Sequence, residues 1–222
     1  MGFMDALAVH EAMLGHFDAA RELIERVRAM TEDLGLARGL PFILRAEHAW
    51  IVETLAGDAA AAEGEIRAAY EVLERWKMGE KGLLSTQAAR LAQSLYVQQR
   101  YEEAEYQTRI SEQAGASDDM MTQVLWRQVR AKALARRGED GAAEDLAREA
   151  VVLAEPTDAL DMRADALVDL AEVLRLVGRK DEPKGVLEDA LRLYEQKGNV
   201  VSAARARDVL AKAVQTWQTP PP

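Results

Sequence analysis

The 222-residue chain sets 28 lysines and arginines against 38 aspartates and glutamates, for a net charge of −10, and has no cysteine. These counts exclude disulfides, thiolate metal sites and thiol catalysis. They also argue against nucleic acid as a main partner, because phosphate binding needs a basic face. No apolar run reaches about 18 residues, so no membrane partner or span is expected, and a cytoplasmic location is the expectation.

The opening stretch, MGFMDALAVHEAMLGHF, lacks the basic start of a signal peptide and interrupts its apolar pattern with Asp5 and Glu11; it reads as structural. From there alanine, leucine, glutamate and arginine dominate, and apolar positions recur at helical spacing. In chain order the pattern predicts helices over 4–14 and 17–34, 39–55 and 58–77, 81–98 and 101–114, 118–137 and 140–154, and 159–177 and 182–197. A last helix is predicted over about 200–216. Turns are expected at Gly79, Gly82, Ala114–Ser117 and Glu155–Asp158. The terminal QTPPP cannot continue a helix, so one domain is expected over 1–217 with a disordered tail at 218–222.

The junction inside each pair repeats. GHFDAA at Gly15 returns as GDAAAA at Gly57, QRYEEA at Gln99, GEDGAA at Gly138 and GRKDEP at Gly178, in steps of 42, 42, 39 and 40 residues. A period near 40 is the mark of an array of supersecondary units. Glycine suits the left-handed residue that ends one helix, and an acidic residue suits the first turn of the next. Small residues recur in register: Ala20, Ala62, Ala104 and Ala143 five residues into the motif, Ala69, Ser111, Ala150 and Ala190 at twelve, and Ala8, Ala92, Ala131 and Ala171 seven before it. Val27 and Trp50 depart from the pattern. Such positions let helices approach closely. Pro183 replaces the alanine in the fifth copy and Gly185 follows, so the helix there is expected to be the least regular.

The motif Gly-x-aromatic-acid-x-Ala resembles the inter-helix signature of tetratricopeptide repeats. It stands whole at Gly15–Ala20 and, with Gln for Gly, at Gln99–Ala104. The resemblance implies an all-α, right-handed superhelix of about five helix-turn-helix repeats closed by a C-terminal capping helix. Longer strings, among them LAGDAAAAEGEIRAAYEVLE, EKGLLSTQAARLAQSLYVQQRYEEAE and LYEQKGNVVSAARARDVLA, are similar to the C-terminal repeat region of bacterial adenylate/guanylate cyclase–NTPase signalling proteins. The catalytic parts of such proteins are not in this chain: it has neither a GxxxxGK[ST] nor a GxGxxG loop.

No catalytic, cofactor or metal site is predicted. His10 and His16 stand six apart, off the spacing that chelates a metal on one helix face, and the serines lack a nucleophile-elbow context. Trp50, Trp76 and Trp126 read as packing anchors. In WRQVRAKALARR, Arg127, Arg130 and Arg137 share one face and Lys132 and Arg136 another.

The resemblance places binding on the first helices of the pairs, at ten, six, three and two residues before each motif. Those positions give Asp5, Glu47, Thr54, Gln93, Tyr96, Gln128, Lys132, Arg136, Glu172 and Arg175, a mixed-charge concave groove suited to a protein or peptide, or to another domain of a parent protein. Lys132 and Arg136 are expected to be exposed and to meet an acidic partner, so that charge reversal at both would spare folding. A swap at Glu144 and Arg148 on the outer side is expected to have little effect on partner capture. A non-enzymatic interaction module is the leading function, and a free-standing adaptor and a metabolite sensor are the alternatives.

Overall fold

The structure, a computed structural model, describes residues 2–36, 40–76, 81–179 and 182–218, with side chains except at 74–76, 81 and 213–218. Among these residues the chain forms eleven helices and no strand: α1 (Gly2–Met13), α2 (Phe17–Asp33), α3 (Leu40–Ala56), α4 (Ala59–Trp76), α5 (Lys81–Val97), α6 (Tyr101–Ala114), α7 (Met120–Arg136), α8 (Asp140–Ala154), α9 (Leu160–Leu176), α10 (Glu182–Lys197) and α11 (Val200–Gln218). Every expected helix is present within about two residues at each end. Gln218, assigned from sequence to the tail, closes α11. The rest of that tail, the Trp76 side chain and the turn at Gly79 lie outside the described residues.

The five junctions share one hydrogen-bond scheme. Gly15, Gly57, Gly138 and Gly178 have φ between 79° and 89°, and Gln99 takes the same place at 63°. The next residue then donates its N–H to the carbonyl five residues back: His16 to Glu11 at 2.9 Å, Asp58 to Glu53 at 2.9 Å, Arg100 to Leu95 at 3.0 Å, Glu139 to Leu134 at 3.1 Å and Arg179 to Leu174 at 2.8 Å. In the first four copies the carbonyl of that same residue accepts from the registered alanine of the next helix, Ala20, Ala62, Ala104 or Ala143. One residue thus closes one helix and opens the next. Gln99 holds this conformation against its own Cβ. Gln99→Gly should therefore raise stability by about 0.5–1 kcal/mol, read from the denaturant midpoint; a fall would mean that the Gln99 side chain stabilises the turn.

The registered small residues are all buried, with Ala8, Ala20, Ala69, Ala92, Ala104, Ala131, Ala143, Ala150 and Ala190 fully enclosed. Their lack of side-chain bulk sets the helix spacing. Pro183 takes the same buried place, and α10 runs unbroken through it and Gly185. The expected irregularity is therefore absent, because a proline in a first helical turn has no helical N–H bond to lose.

The chain divides into two compact units, Met1–Ala116 and Ser117–Pro222. The first holds the pairs α1–α2, α3–α4 and α5–α6. In it α1 packs on α3, α2 on α3 and α4 on α5. The second holds α7–α8, α9–α10 and α11, with α7 and α8 both against α9 and α10 against α11. An inner first helix thus has neighbours on several sides. A second helix keeps one face open and is more clearly amphipathic, as α2 shows with Ile24, Val27 and Thr31 inward and Glu22 and Arg26 outward.

Candidate interaction surface

In each unit the first helices carry a row of polar side chains, and lateral docking ties each row together. In the first unit Glu47 on α3 accepts from Gln87 Nε2 of α5 at 2.7 Å and lies 2.6 Å from the Arg90 guanidinium. Arg90 also sits over the Trp50 ring at 5.3 Å, and the Trp50 indole N–H donates to Ser94 at 3.0 Å. Arg45, only 2% exposed, reaches Glu65 at 3.3 Å and lies over the Phe42 ring at 4.7 Å. Asp5 on α1 is buried near His48 and Arg45; burial pushes its carboxyl up, and the neighbouring His48 and Arg45 side chains work against that rise. Tyr96 is buried against the Tyr101 ring at 5.1 Å. Thr54 and Gln93 are half-buried.

In the second unit α9 presents Asp161, Asp165, Asp169 and Glu172 at steps of about one turn, so they form one stripe. Each has a partner on a neighbouring helix or cap. Lys132 donates to Asp169 at 2.7 Å and Arg136 to Glu172 at 3.0 Å, both from α7. Tyr194 of α10 donates its hydroxyl to Asp165 at 2.5 Å, and Asn199 at the start of α11 donates to Asp161 at 3.0 Å. Burial disfavours the Lys132 ammonium, but Asp169, Glu172 and Asp165 outweigh it and hold its pKa above the ordinary lysine value. Burial also drives the Asp165 carboxyl up to about 7, with Asp161 and Asp169 adding to the rise and Tyr194 and Lys132 opposing it.

The ten residues expected to form a groove therefore behave unequally. Arg136 and Arg175 are exposed, and Glu47, Thr54, Gln93 and Glu172 keep partial solvent contact, whereas Asp5, Tyr96, Gln128 and Lys132 are buried. The exposed placing of Lys132 needs correction, whereas Arg136 is exposed as expected. The Lys132 side chain is 6% exposed and spent on Asp169, and Arg136 is spent on Glu172. Charge reversal at both would set like charges against α9 and disrupt the fold. The outer pair has partners of its own: Glu144 accepts from Arg179 as well as Arg148, and Arg148 also reaches Glu182 at 2.6 Å.

The residues that hold the row but were missed from sequence are Arg45, Gln87, Arg90, Asp165, Asp169 and Tyr194. A usable signal was present. The interlocking partners lie one repeat apart, 40 residues for Gln87 and Glu47, 37 for Asp169 and Lys132, and 36 for Glu172 and Arg136. The two faces of the Trp126–Arg137 stretch are as expected: Arg127 and Arg130 stack on the buried Trp126 ring at 4.2 and 4.3 Å, while Lys132 and Arg136 turn to α9. Among the described residues no group of three His, Cys, Asp or Glu side chains could hold a metal ion, and no helix is long and apolar enough to cross a membrane.

No protein-family model and no curated protein matches the chain. Solved structures do. A Rap protein complexed with competence and sporulation factor is similar over 96% of this chain and 66% of its own, at 14% identity and a TM-score of 0.62. Nearly identical TPR-like repeats assigned to a kinesin light chain from Podosopora anserina match over 87% of this chain and 94% of theirs, at 16% identity and a TM-score of 0.57. BtubC (BKLC) from P. vanneervenii matches over 95% and 94%, at 15% identity and a TM-score of 0.55. At these identities the likeness concerns the fold, which is all-α and TPR-like.

Proposed function

We propose that the chain is a non-enzymatic interaction module that binds a protein or peptide segment along the polar rows of its first helices. The observation that carries this reading is the row itself. Each unit displays partly exposed polar residues whose orientation is fixed by buried partners on the neighbouring repeat, as Glu47 is fixed by Gln87 and Arg90. Pre-set groups bind at lower entropic cost than mobile ones. The Rap protein of similar fold was solved with a factor bound, which supports the same use of the fold here. The resemblance of the longer strings to the repeat region of cyclase–NTPase signalling proteins favours a regulatory segment of such a protein, acting in the cytoplasm on another domain of its parent.

The test is a peptide-display selection on the intact chain, followed by hydrogen exchange with an enriched peptide bound. Slowed exchange in α3 and α5, or in α7 and α9, is the expected result. Protection confined to the second helices α2, α4, α6 and α8 would put the binding surface elsewhere and sink this assignment.

A further inference from the structure

Within a unit, a first helix turns one face to the pair before it: α3 packs on α1 and α2, α5 on α4, and α9 on α7 and α8. The residues twelve and five before each junction lie on that face. They are Arg45 and Val52 in α3, Gln87 and Ser94 in α5, and Ala166 and Val173 in α9, and all six are 4% exposed or less. In α5 the face is read directly, because Gln87 donates to Glu47 of α3 and Ser94 accepts from Trp50 of α3.

Helix α1 shows the same register to solvent. Phe3, twelve before Gly15, is 83% exposed, and His10, five before it, is exposed as well. Leu7 is half-buried, and Leu14, whose N–H still donates to the His10 carbonyl, is exposed. Phe3, Leu7, His10 and Leu14 are spaced four, three and four apart, which makes one continuous stripe, with the small Ala6 beside it. Leu40 and Leu44 are exposed at the start of α3, next to the start of α1, where Asp5 lies near Arg45 and His48. A lone exposed leucine is ordinary; a contiguous stripe with a phenylalanine at its end is a contact surface.

The stripe selects its occupant by charge. The acids of α1 are Asp5, which is buried, and Glu11, which lies 2.7 Å from His16, so no carboxylate stands in the stripe. A chain of net charge −10 can therefore meet its own copy here without opposing acids. The last helix, α11, instead exposes Arg205, Asp208 and Lys212, the polar outer face that ends a repeat array. A head-to-tail contact would press those groups onto leucine and phenylalanine and strip them of water. The stripe is matched by itself.

We infer that α1 docks against α1 of a second copy, antiparallel about a two-fold axis at the middle of the stripe. Phe3 then meets the partner's Leu14 and Ala6 meets the partner's His10, each larger side chain against a smaller one. The contact uses a different face from the peptide-binding rows and does not depend on that reading. Being isologous, it closes at two chains. Helix α1 is about 18 Å long and about 10 Å wide, well short of the roughly 800 Å² per partner of a standard interface. The expected Kd is on the order of 10 μM.

Sedimentation velocity on the intact chain, at concentrations spanning that value, should show a monomer–dimer equilibrium. Added salt should tighten it, because screening relieves the repulsion between two acidic copies. Phe3→Lys and Leu14→Glu should each weaken the dimer at least about tenfold and leave the melting temperature unchanged, since both side chains are exposed. An equimolar mixture of the two variants should dimerise again, because the new lysine of one faces the new glutamate of the other. Val209→Lys, at an exposed apolar position of α11, should change nothing. A monomer at every concentration would overturn the inference and leave the stripe to the helix pair of another protein. A dimer that survives Phe3→Lys, a mixture that stays monomeric, or species that grow past the dimer would overturn it too.

Discussion

Lys132→Met should destabilise the protein by about 3–5 kcal/mol, the usual result of stranding one partner of a buried ion pair. The methionine has the length to fill the space, so little of this loss comes from packing. It comes from Asp169, whose carboxylate accepts from Lys132 at 2.7 Å and which has Asp165 and Glu172 near it on the same helix face. Removing both charges together, Lys132→Met with Asp169→Leu, should restore most of the stability, because an apolar pair of similar volume often replaces a buried ion pair without loss. Denaturant midpoints of the two variants and the wild type decide this. A single variant within about 0.5 kcal/mol of wild type, the range of an ordinary surface change, would mean that the ammonium is solvated and available to a partner.

The second large effect depends on pH. Asp165 titrates near 7 in the folded protein because burial disfavours its charged form, against about 3.9 in an unfolded chain. The folded state therefore binds the proton more tightly. Its stabilising contribution is fully present below the unfolded value and is lost as pH rises through the folded one. Between about pH 4 and pH 7 the protein should lose on the order of 3–4 kcal/mol through this group.

Asp165→Asn mimics the protonated acid and can still accept from the Tyr194 hydroxyl. The variant should melt at a higher temperature than wild type at pH 8, and the gap should close as the pH falls toward 4. Lys132 from α7, Tyr194 from α10, and Asp161 and Asp169 on α9 set the size of the effect. A gap that is constant with pH would show that Asp165 titrates as an ordinary carboxyl.

The architecture was legible from the chain because its signals are local. A left-handed glycine followed by an acidic first turn marks a junction whatever lies elsewhere, and Gln99 was recognisable in glycine's place because the residues after it kept the pattern. The registered alanines identified contact points for the same reason. The polar row of the first helices was only partly legible, because the state of a side chain there depends on what docks beside it. Trp126–Arg137 has the composition of a solvated helix, yet Lys132 is buried because α9 packs over it with a carboxylate at the right height. Asp165 and Asp169 look like two more surface acids until α7 and α10 are placed against them. Pro183 misled for the opposite reason: a residue that breaks helices in their interior is accommodated in a first turn.

A chain of look-alike hairpins has a sorting problem while it folds, since any first helix could settle against several others with much the same apolar fit. The Lys132–Asp169 pair gives one docking an identity. The place that Asp169 occupies, nine residues before the junction, holds Ala6, His48, Arg90 and Val129 in the other repeats, and the matching position one period on, in α11, is Val209. No other first helix offers a carboxylate there, so α7 laid against a wrong neighbour would bury its ammonium with nothing to neutralise it. The pair acts as a key cut for one lock. It adds little net stability over an apolar contact, but it puts the cost of a buried unpaired charge on the wrong order of assembly.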